Sequence, residues 1–123
     1  MLKRSLLGLA PMGLALALAG CVPPTQTVVV RERSCDTSFR VVNASSGTVE
    51  RLFFSHASQS GWGNDQLGEA VLPPGRATNY RAANTGAYDF RVVWANGRSA
   101  ELRGIDVCVA STITATDSGL RAN

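Results

Sequence analysis

Four residues with reactive or binding side chains lie in one loop-rich stretch, Leu52 to Gly75: Ser55, His56, Trp62 and Asp65. Ser, His and Asp are the residue types of a hydrolase triad, but residue types alone do not make one. Adjacent residues of a strand point to opposite faces, so Ser55 and His56 are not expected to hydrogen-bond each other. The Gly-x-Ser-x-Gly motif of many hydrolases is also missing. We therefore predict no catalytic residues, with a small hydrolase or metal-dependent enzyme centred on His56 and Asp65 as the alternative.

Trp62, Asp65 and His56 are instead predicted to offer a surface for a protein or glycan partner. A Trp between glycines can stack on a sugar ring or a partner side chain. The structural alternative is that Trp62 folds back over the core, Gly63 permits a tight turn, and Asp65 caps the backbone amides of a short turn over 64–70. The single His and the scattered carboxylates lack the spacing of metal ligands, so neither a metal site nor a cofactor is predicted.

The first 20 residues have the organisation of a signal peptide: a basic start, an apolar middle and small residues at the end. The apolar run is too short, and too interrupted by Gly and Pro, to predict a transmembrane helix. Leu18-Ala19-Gly20-Cys21 resembles the lipobox of bacterial lipoproteins. That resemblance implies cleavage before Cys21, acylation of Cys21 (palmitate among the acyl groups), and anchoring in membrane lipid. Val22 stands where an Asp would resemble an inner-membrane retention signal, so the predicted location is the outer membrane, facing the periplasm.

Two cysteines remain, Cys35 and Cys108, and in an oxidising envelope compartment the simplest prediction is a disulfide between them. A metal pair or a redox dithiol are the alternatives. Both lack support, since there is no Cys-x-x-Cys motif and the His flanks neither cysteine.

Residues 21–34 are predicted to be the lipidated cysteine and a flexible tether, which Pro23-Pro24 would keep extended. Whether 28–30 adds an edge strand is left open. Without Lys3 and Arg4 the chain has ten Arg against nine Asp and Glu, a net charge of +1. This balance gives no basis for nucleic-acid binding.

Residues 35–117 show alternating patterns and turn signals that predict short β-strands. The clearest is Tyr88 to Trp94, where aromatic and aliphatic residues alternate with polar ones. Asn96-Gly97 follows and predicts a type I′ hairpin turn. The return strand changes phase at Gly104, which predicts a β-bulge. Arg76 to Arg81 is polar enough for an edge strand.

The predicted fold is therefore all-β, a small antiparallel sandwich or partly open barrel behind the cleaved signal peptide. Residues 118–123 are predicted to be a disordered tail.

The stretch from Phe53 to Gly75, followed by Tyr88 to Cys108, resembles a family of small secreted bacterial β-domains of unknown function with a Trp-Gly-x-Asp-x-Leu-Gly loop. The matching positions are Ser55, Trp62, Gly63, Asp65, Leu67, Gly68, Leu72, Pro74, Gly75, Tyr88, Asp89, Gly97 and Cys108. One departure is that such proteins carry a Cys just before the Tyr-Asp pair, where this chain has Gly86-Ala87. Cys35 must then supply the partner of Cys108.

These observations predict a non-enzymatic envelope lipoprotein that acts as a binding or structural module, with an envelope protein or a glycan as its partner. A second alternative to this prediction is an accessory or inhibitor subunit that docks through an edge strand.

Overall fold

The structure, a computed structural model, describes residues 35–123, and these residues form seven β-strands without a helix. None of these residues therefore belongs to a helix long and apolar enough to cross a membrane. The strands are β1 (Ser38–Asn43), β2 (Val49–His56), β3 (Ala77–Arg81), β4 (Ala87–Trp94), β5 (Ser99–Asp106), β6 (Thr112–Thr116) and β7 (Gly119–Ala122).

The strands form two sheets packed as a sandwich, which confirms the predicted all-β class. Sheet one has the order β3-β1-β6-β7, and sheet two has the order β2-β4-β5. All pairs are antiparallel except β1 with β6, which run parallel. Parallel neighbours need a long crossover connection, and here that connection runs through all of sheet two.

The core lies between the two sheets and is filled by the inward-facing residues of their strands. Phe39 of β1 is its aromatic centre: its ring lies 4.9 Å from that of Phe54 and 5.4 Å from that of Phe90, both edge to face. The alternation predicted for β4 is confirmed, since its four apolar residues at even positions are all buried. The buried core consists of Phe39, Val41, Val49, Leu52, Leu72, Ala82, Tyr88, Phe90, Val92, Trp94, Val107, Ile113 and Ala115.

The β4–β5 hairpin is confirmed, but its turn differs from the predicted type I′ form. Gly97 N–H donates to Trp94 O at 2.8 Å, so the central turn residues are Ala95 and Asn96. Gly97 follows them with a φ of 91°. This is the three-residue loop in which a glycine completes the turn. Ala95 N–H donates to Thr48 O at 2.9 Å, and this bond to the neighbouring β-strand region favours the longer loop.

Two bulges set which side chains reach the core. The predicted bulge at Gly104 is confirmed: Phe90 pairs with Leu102 and Tyr88 with Ile105, so β5 has one extra residue there. A second bulge lies in β2, where the register shifts between Val49 and Arg51. It brings Val49 and Leu52 to the same, core-facing side although strict alternation would separate them.

A buried polar network holds the end of β1 to sheet two. Asn43 is fully buried, and its Nδ2 donates to Gly47 O and Leu72 O, each at 2.8 Å. Its Oδ1 accepts from the backbone N–H of Ser45 at 3.0 Å and from the Ser45 hydroxyl. Trp94 Nε1 donates to the same hydroxyl at 2.8 Å. All hydrogen-bonding capacity of the Asn43 amide is used, as a buried side-chain amide requires.

The prediction of a disordered tail over 118–123 is wrong, because Gly119–Ala122 forms β7 at the edge of sheet one. Ile113 pairs with Ala122 and Thr116 with Gly119 across a tight turn. The terminal Asn123 also donates to and accepts from Thr112 through its backbone. The sequence Gly-Leu-Arg-Ala is too short to show alternation, so its pairing partner defines it as a strand.

Candidate functional site

The three residues predicted as a partner surface lie at three separate places. His56 ends β2 and points inward beside Tyr88, with the two ring centroids 5.2 Å apart. Trp62 lies against the outer face of sheet two, next to Arg103. Asp65 binds the backbone along the free side of β2. His56 therefore faces the core side of sheet two and Trp62 its outer face, with Asp65 at the edge of β2.

Asp65 caps the turn, as its structural interpretation predicts, and it also holds the long loop onto β2. Its Oδ1 accepts from Leu52 N–H and from Leu67 N–H, both at 3.0 Å. Gln66 N–H then donates to Leu52 O at 2.7 Å. One carboxylate thus caps the turn and covers part of the edge of sheet two, which leaves that oxygen no capacity for a substrate.

Ser55 and His56 point to opposite faces of sheet two, as strand alternation predicts. Ser55 lies opposite Asp89 and His56 opposite Tyr88. The His56 Nδ1 atom is 2.8 Å from the Ser58 hydroxyl and accepts from Ser58 N–H at 3.2 Å. Each of the proposed triad residues is therefore engaged with a different neighbour. Among residues 35–123, no three His, Cys, Asp or Glu side chains lie close enough together to hold a metal ion.

The outer face of sheet two carries a chain of cross-strand ion pairs that includes Asp89 and Arg91. Glu101 accepts from Arg91 at 2.7 Å and from Arg103 at 2.9 Å, and Arg103 also contacts Asp89 at 3.3 Å. The hydrogen bond from Arg103 lowers the pKa of Glu101 from its ordinary value of 4.5, and Arg91 acts in the same direction. Positive and negative side chains alternate on this face and compensate one another.

Trp62 packs against the outer face of sheet two rather than against the core. The Arg103 guanidinium lies 4.8 Å from the centroid of the Trp62 ring, within the range of cation–π attraction. Asp89 accepts from Gly104 N–H at 2.9 Å, so it also satisfies the amide exposed by the bulge. Between Trp62, Asp89 and Ser55 is a polar cavity of about 50 Å³, which has room for water but not for a sugar ring. The structural alternative, in which Trp62 folds back over the core, is thus wrong in location.

Sheet one has the larger depression, a shallow hollow of about 600 Å³ open to solvent. Its lining consists of Ser38, Phe39, Arg40, Asn79, Tyr80, Arg81 and Ser111. Beside the two aromatic residues, the polar side chains of this lining are hydroxyl, amide and guanidinium groups, which suit an anionic ligand. Sequence reasoning missed it because the contributing strands are far apart in the chain. The available signal was the absence of Asp and Glu from the sequences of these strands.

The predicted disulfide between Cys35 and Cys108 is present, with Cα atoms 5.5 Å apart and a sequence separation of 73. Cys35 lies just before β1 of sheet one, and Cys108 lies just after β5 of sheet two. The bond therefore joins the two sheets at the point where the chain enters the domain. Cys21 and the segment 21–34 lie outside the described residues.

Comparisons with protein-family models, curated proteins and solved structures found no match to this chain. The resemblance to the Trp-Gly-x-Asp-x-Leu-Gly family therefore stays a prediction from the sequence.

Proposed function

We propose that the protein is a lipid-anchored envelope protein whose β-sandwich acts as a non-enzymatic binding or structural module. The observation that carries this proposal is the sequence Leu18-Ala19-Gly20-Cys21 at the end of an apolar segment. Acyl chains on Cys21 anchor the chain firmly, because two or more chains bind a bilayer far more tightly than one. The outer membrane, on its periplasmic side, is the proposed location.

The Cys35–Cys108 disulfide supports export from the cytosol. Disulfides form and persist in oxidising compartments and are rare where thiols are kept reduced. A bond that closes a 73-residue separation also stabilises a domain of this size substantially. An exported, anchored domain is the setting in which such a bond is maintained.

The separation of Ser55, His56 and Asp65 supports a binding role over hydrolysis. Nucleophilic catalysis needs the nucleophile and its base within hydrogen-bond reach. The side chains of Ser55 and His56 project from opposite faces of one sheet. The Asp65 Oδ1 atom accepts hydrogen bonds from two backbone amides. Envelope proteins and glycans are the partner classes that we propose.

Membrane fractionation tests the anchor. Cells producing the Cys21→Ser variant should release the protein into the soluble fraction, whereas wild-type protein sediments with membranes and dissolves in detergent. A Cys35→Ser/Cys108→Ser variant is the control, since it replaces the other two cysteines together without touching the lipobox. If Cys21→Ser protein remains membrane-bound and detergent-soluble, the lipid anchor is refuted.

The free edge of sheet one favours a second candidate, docking of a partner strand on β3. The other side of β3 pairs with β1, and Arg81 is the one charged residue within the strand. Arg76 O and Ala82 N–H bond β1, so by alternation Asn79 N–H points to the free side. An unpaired edge of this kind can accept an added strand.

A cross-linked pull-down from intact envelopes tests this candidate with Asn79→Pro. Proline removes the outward amide and leaves the bonds to β1, so a partner bound by strand addition should be lost. Asn79→Ala is the control and should retain that partner. Equal capture of the same partner by both variants would rule out docking on this edge.

A further inference from the structure

Charge is unevenly divided between the two sheets. Residues 35–123 contain eight Arg and eight Asp or Glu, so the described domain has no net charge. The four strands of sheet one nevertheless carry three arginines, Arg40, Arg81 and Arg121, and no acidic residue. The acids lie instead in sheet two and in the loops. A neutral domain thus has one positively charged sheet.

The three arginines share the outer face of sheet one. Arg81 pairs with Ser38, which is two residues from Arg40 along β1 and so points to the same side. Arg40 pairs with Thr112, and Arg121 pairs with Thr114 two residues further along β6. All three arginines are exposed. Ser38, Thr112 and Thr114 have register positions on the same face, so the face is polar and positive.

These arginines lack the close acidic partners that neutralise the arginines on the outer face of sheet two. Arg81 contacts Asp36 at 3.5 Å, but both side chains remain more than 70% exposed, at 72% and 75%. Such a pair contributes little in water. Within the described residues, Arg40 and Arg121 make no salt bridge. Their positive charge is therefore available to an external anion.

The arginine face lies beside the point where the tether joins the domain. Cys35 precedes β1, and its disulfide partner Cys108 precedes Val109, which is 80% exposed. Ser111, at the border of the hollow, accepts a hydrogen bond from Arg40 N–H at 2.9 Å. An exposed apolar side chain, the hollow between two arginines and Cys35, the first described residue, thus lie at one end of sheet one.

We propose that the outer face of sheet one docks on an anionic phospholipid surface, with lipid phosphates in the hollow between Arg40 and Arg81. Guanidinium groups bind phosphate oxygens in a bidentate geometry. The proposal rests on the lipid anchor of the proposed function, because 14 residues, 21–34, separate the anchor from the domain. At about 3.3 Å per residue they hold the domain within about 45 Å of the bilayer. The membrane is thus the nearest extended anionic surface.

Docking of this kind is reversible and sensitive to salt. Removing two arginines that contact an anionic surface should lower the ratio of docked to undocked domain by about 30-fold. Surface charges are also screened within about 3 Å at 1 M salt, so high salt should release the domain while the acyl anchor holds.

Arginine labelling measures the docked face directly. The purified acylated protein is placed in nanodiscs of phosphatidylcholine, with or without phosphatidylglycerol, and treated with a dicarbonyl reagent. Mass spectrometry then gives a labelling rate for each arginine. Phosphatidylglycerol should slow the labelling of Arg40, Arg81 and Arg121. Arg51 and Arg98, which are exposed elsewhere on the domain, should be unaffected and act as internal controls.

Paired variants test the contribution of the hollow. Arg40→Gln/Arg81→Gln should restore the labelling of Arg121 on phosphatidylglycerol discs. Arg51→Gln/Arg98→Gln removes the same charge and should leave Arg121 protected. Both variants change exposed side chains, and circular dichroism verifies their folding.

Three results would overturn the proposal. The first is equal labelling of Arg40, Arg81 and Arg121 on both kinds of disc. The second is protection of Arg51 and Arg98 instead of these three arginines. The third is equal protection by inorganic phosphate without lipid, which would make the hollow a site for free anions. The intact mass of the same sample reports acylation separately. Unacylated protein refutes the proposed anchor, and adding that protein to vesicles of the two compositions still tests the face.

Discussion

Replacing the fully buried Asn43 with Ala tests whether a polar network, and not apolar packing alone, fixes β1 against sheet two. The substitution removes four hydrogen bonds: two from Nδ2 to Gly47 O and Leu72 O, and two to Oδ1 from Ser45. Leu72 O keeps its bond from Val49 N–H, whereas the buried N–H of Ser45 loses its partner. The loss is therefore dominated by one orphaned donor.

The expected loss of unfolding free energy in Asn43→Ala follows from these bonds. An orphaned buried donor costs about 1–3 kcal/mol, and each lost bond to a carbonyl that stays satisfied costs about 0.5–1.5 kcal/mol. Together they predict a fall of about 4 kcal/mol in the free energy of unfolding, the middle of a range of about 2–6 kcal/mol. For a domain of this size that lowers the melting temperature by about 15 °C or more.

Thermal and urea unfolding of Asn43→Ala and of Asn79→Ala provides the assay. Asn79 is exposed in the neighbouring strand, so the same chemical change there should cost less than about 0.5 kcal/mol. If Asn43→Ala does not fold, Ser45→Ala provides a milder test, because it leaves the Trp94 Nε1 donor unpaired at a cost of about 1–3 kcal/mol. Equal stabilities of Asn43→Ala and Asn79→Ala would refute the reasoning.

Three other predictions concern the disulfide, the ion pairs and the bulge. Replacing both Cys35 and Cys108 with Ala should lower the free energy of unfolding by about 4 kcal/mol, from the loop entropy of a 73-residue separation, and an unchanged urea midpoint would contradict this. The pKa of Glu101 is lowered in the folded state, so its stabilisation is present above the ordinary value of 4.5 and is lost as the pH falls through the folded-state pKa. The stability difference between wild type and Glu101→Gln should therefore shrink on acidification, and a difference that grows would contradict the ion-pair account. Gly104→Ala should cost about 1–2 kcal/mol from its φ of +72°, whereas Gly61→Ala, which has no positive φ and equal space, should be neutral in thermal unfolding.

Local patterns in the sequence predicted much of the fold. The alternation of β4 is visible because its buried face is uninterrupted from Tyr88 to Trp94. Gly104 marked its bulge because a phase change and a glycine coincide. Arg76 to Arg81 was predicted as an edge strand from its polarity, and β3 is an edge of sheet one. In each case the evidence lies within a few residues.

Features that depend on distant partners could not be predicted in this way. The parallel pairing of β1 with β6 has no local signal, because the partners are separated by the whole of sheet two. Asn43 begins a stretch of turn-favouring residues that ends at Gly47, and its local sequence looks the same whether the amide meets solvent or Leu72 O. Trp62 was expected over the core because nothing in the sequence identifies Arg103 as its partner.

In the candidate site, too, features with a local signal were predicted and features that depend on distant residues were not. Asp65 was predicted as a cap from its position before a turn, and it does accept from Leu67 N–H. The arginine face of sheet one, in contrast, combines residues from β1, β3 and β7. Its members become neighbours only through the strand register, so the sequence shows them as scattered basic residues.

The most direct test of the account is the intact mass of the protein purified from membranes under non-reducing conditions. We expect the mass of residues 21–123 with a diacylglycerol on the Cys21 sulfur, an acyl group on its amine, and two hydrogens fewer for the Cys35–Cys108 bond. A mass that still includes residues 1–20, or one that begins at Cys21 without acyl groups, would contradict a lipid-anchored envelope protein.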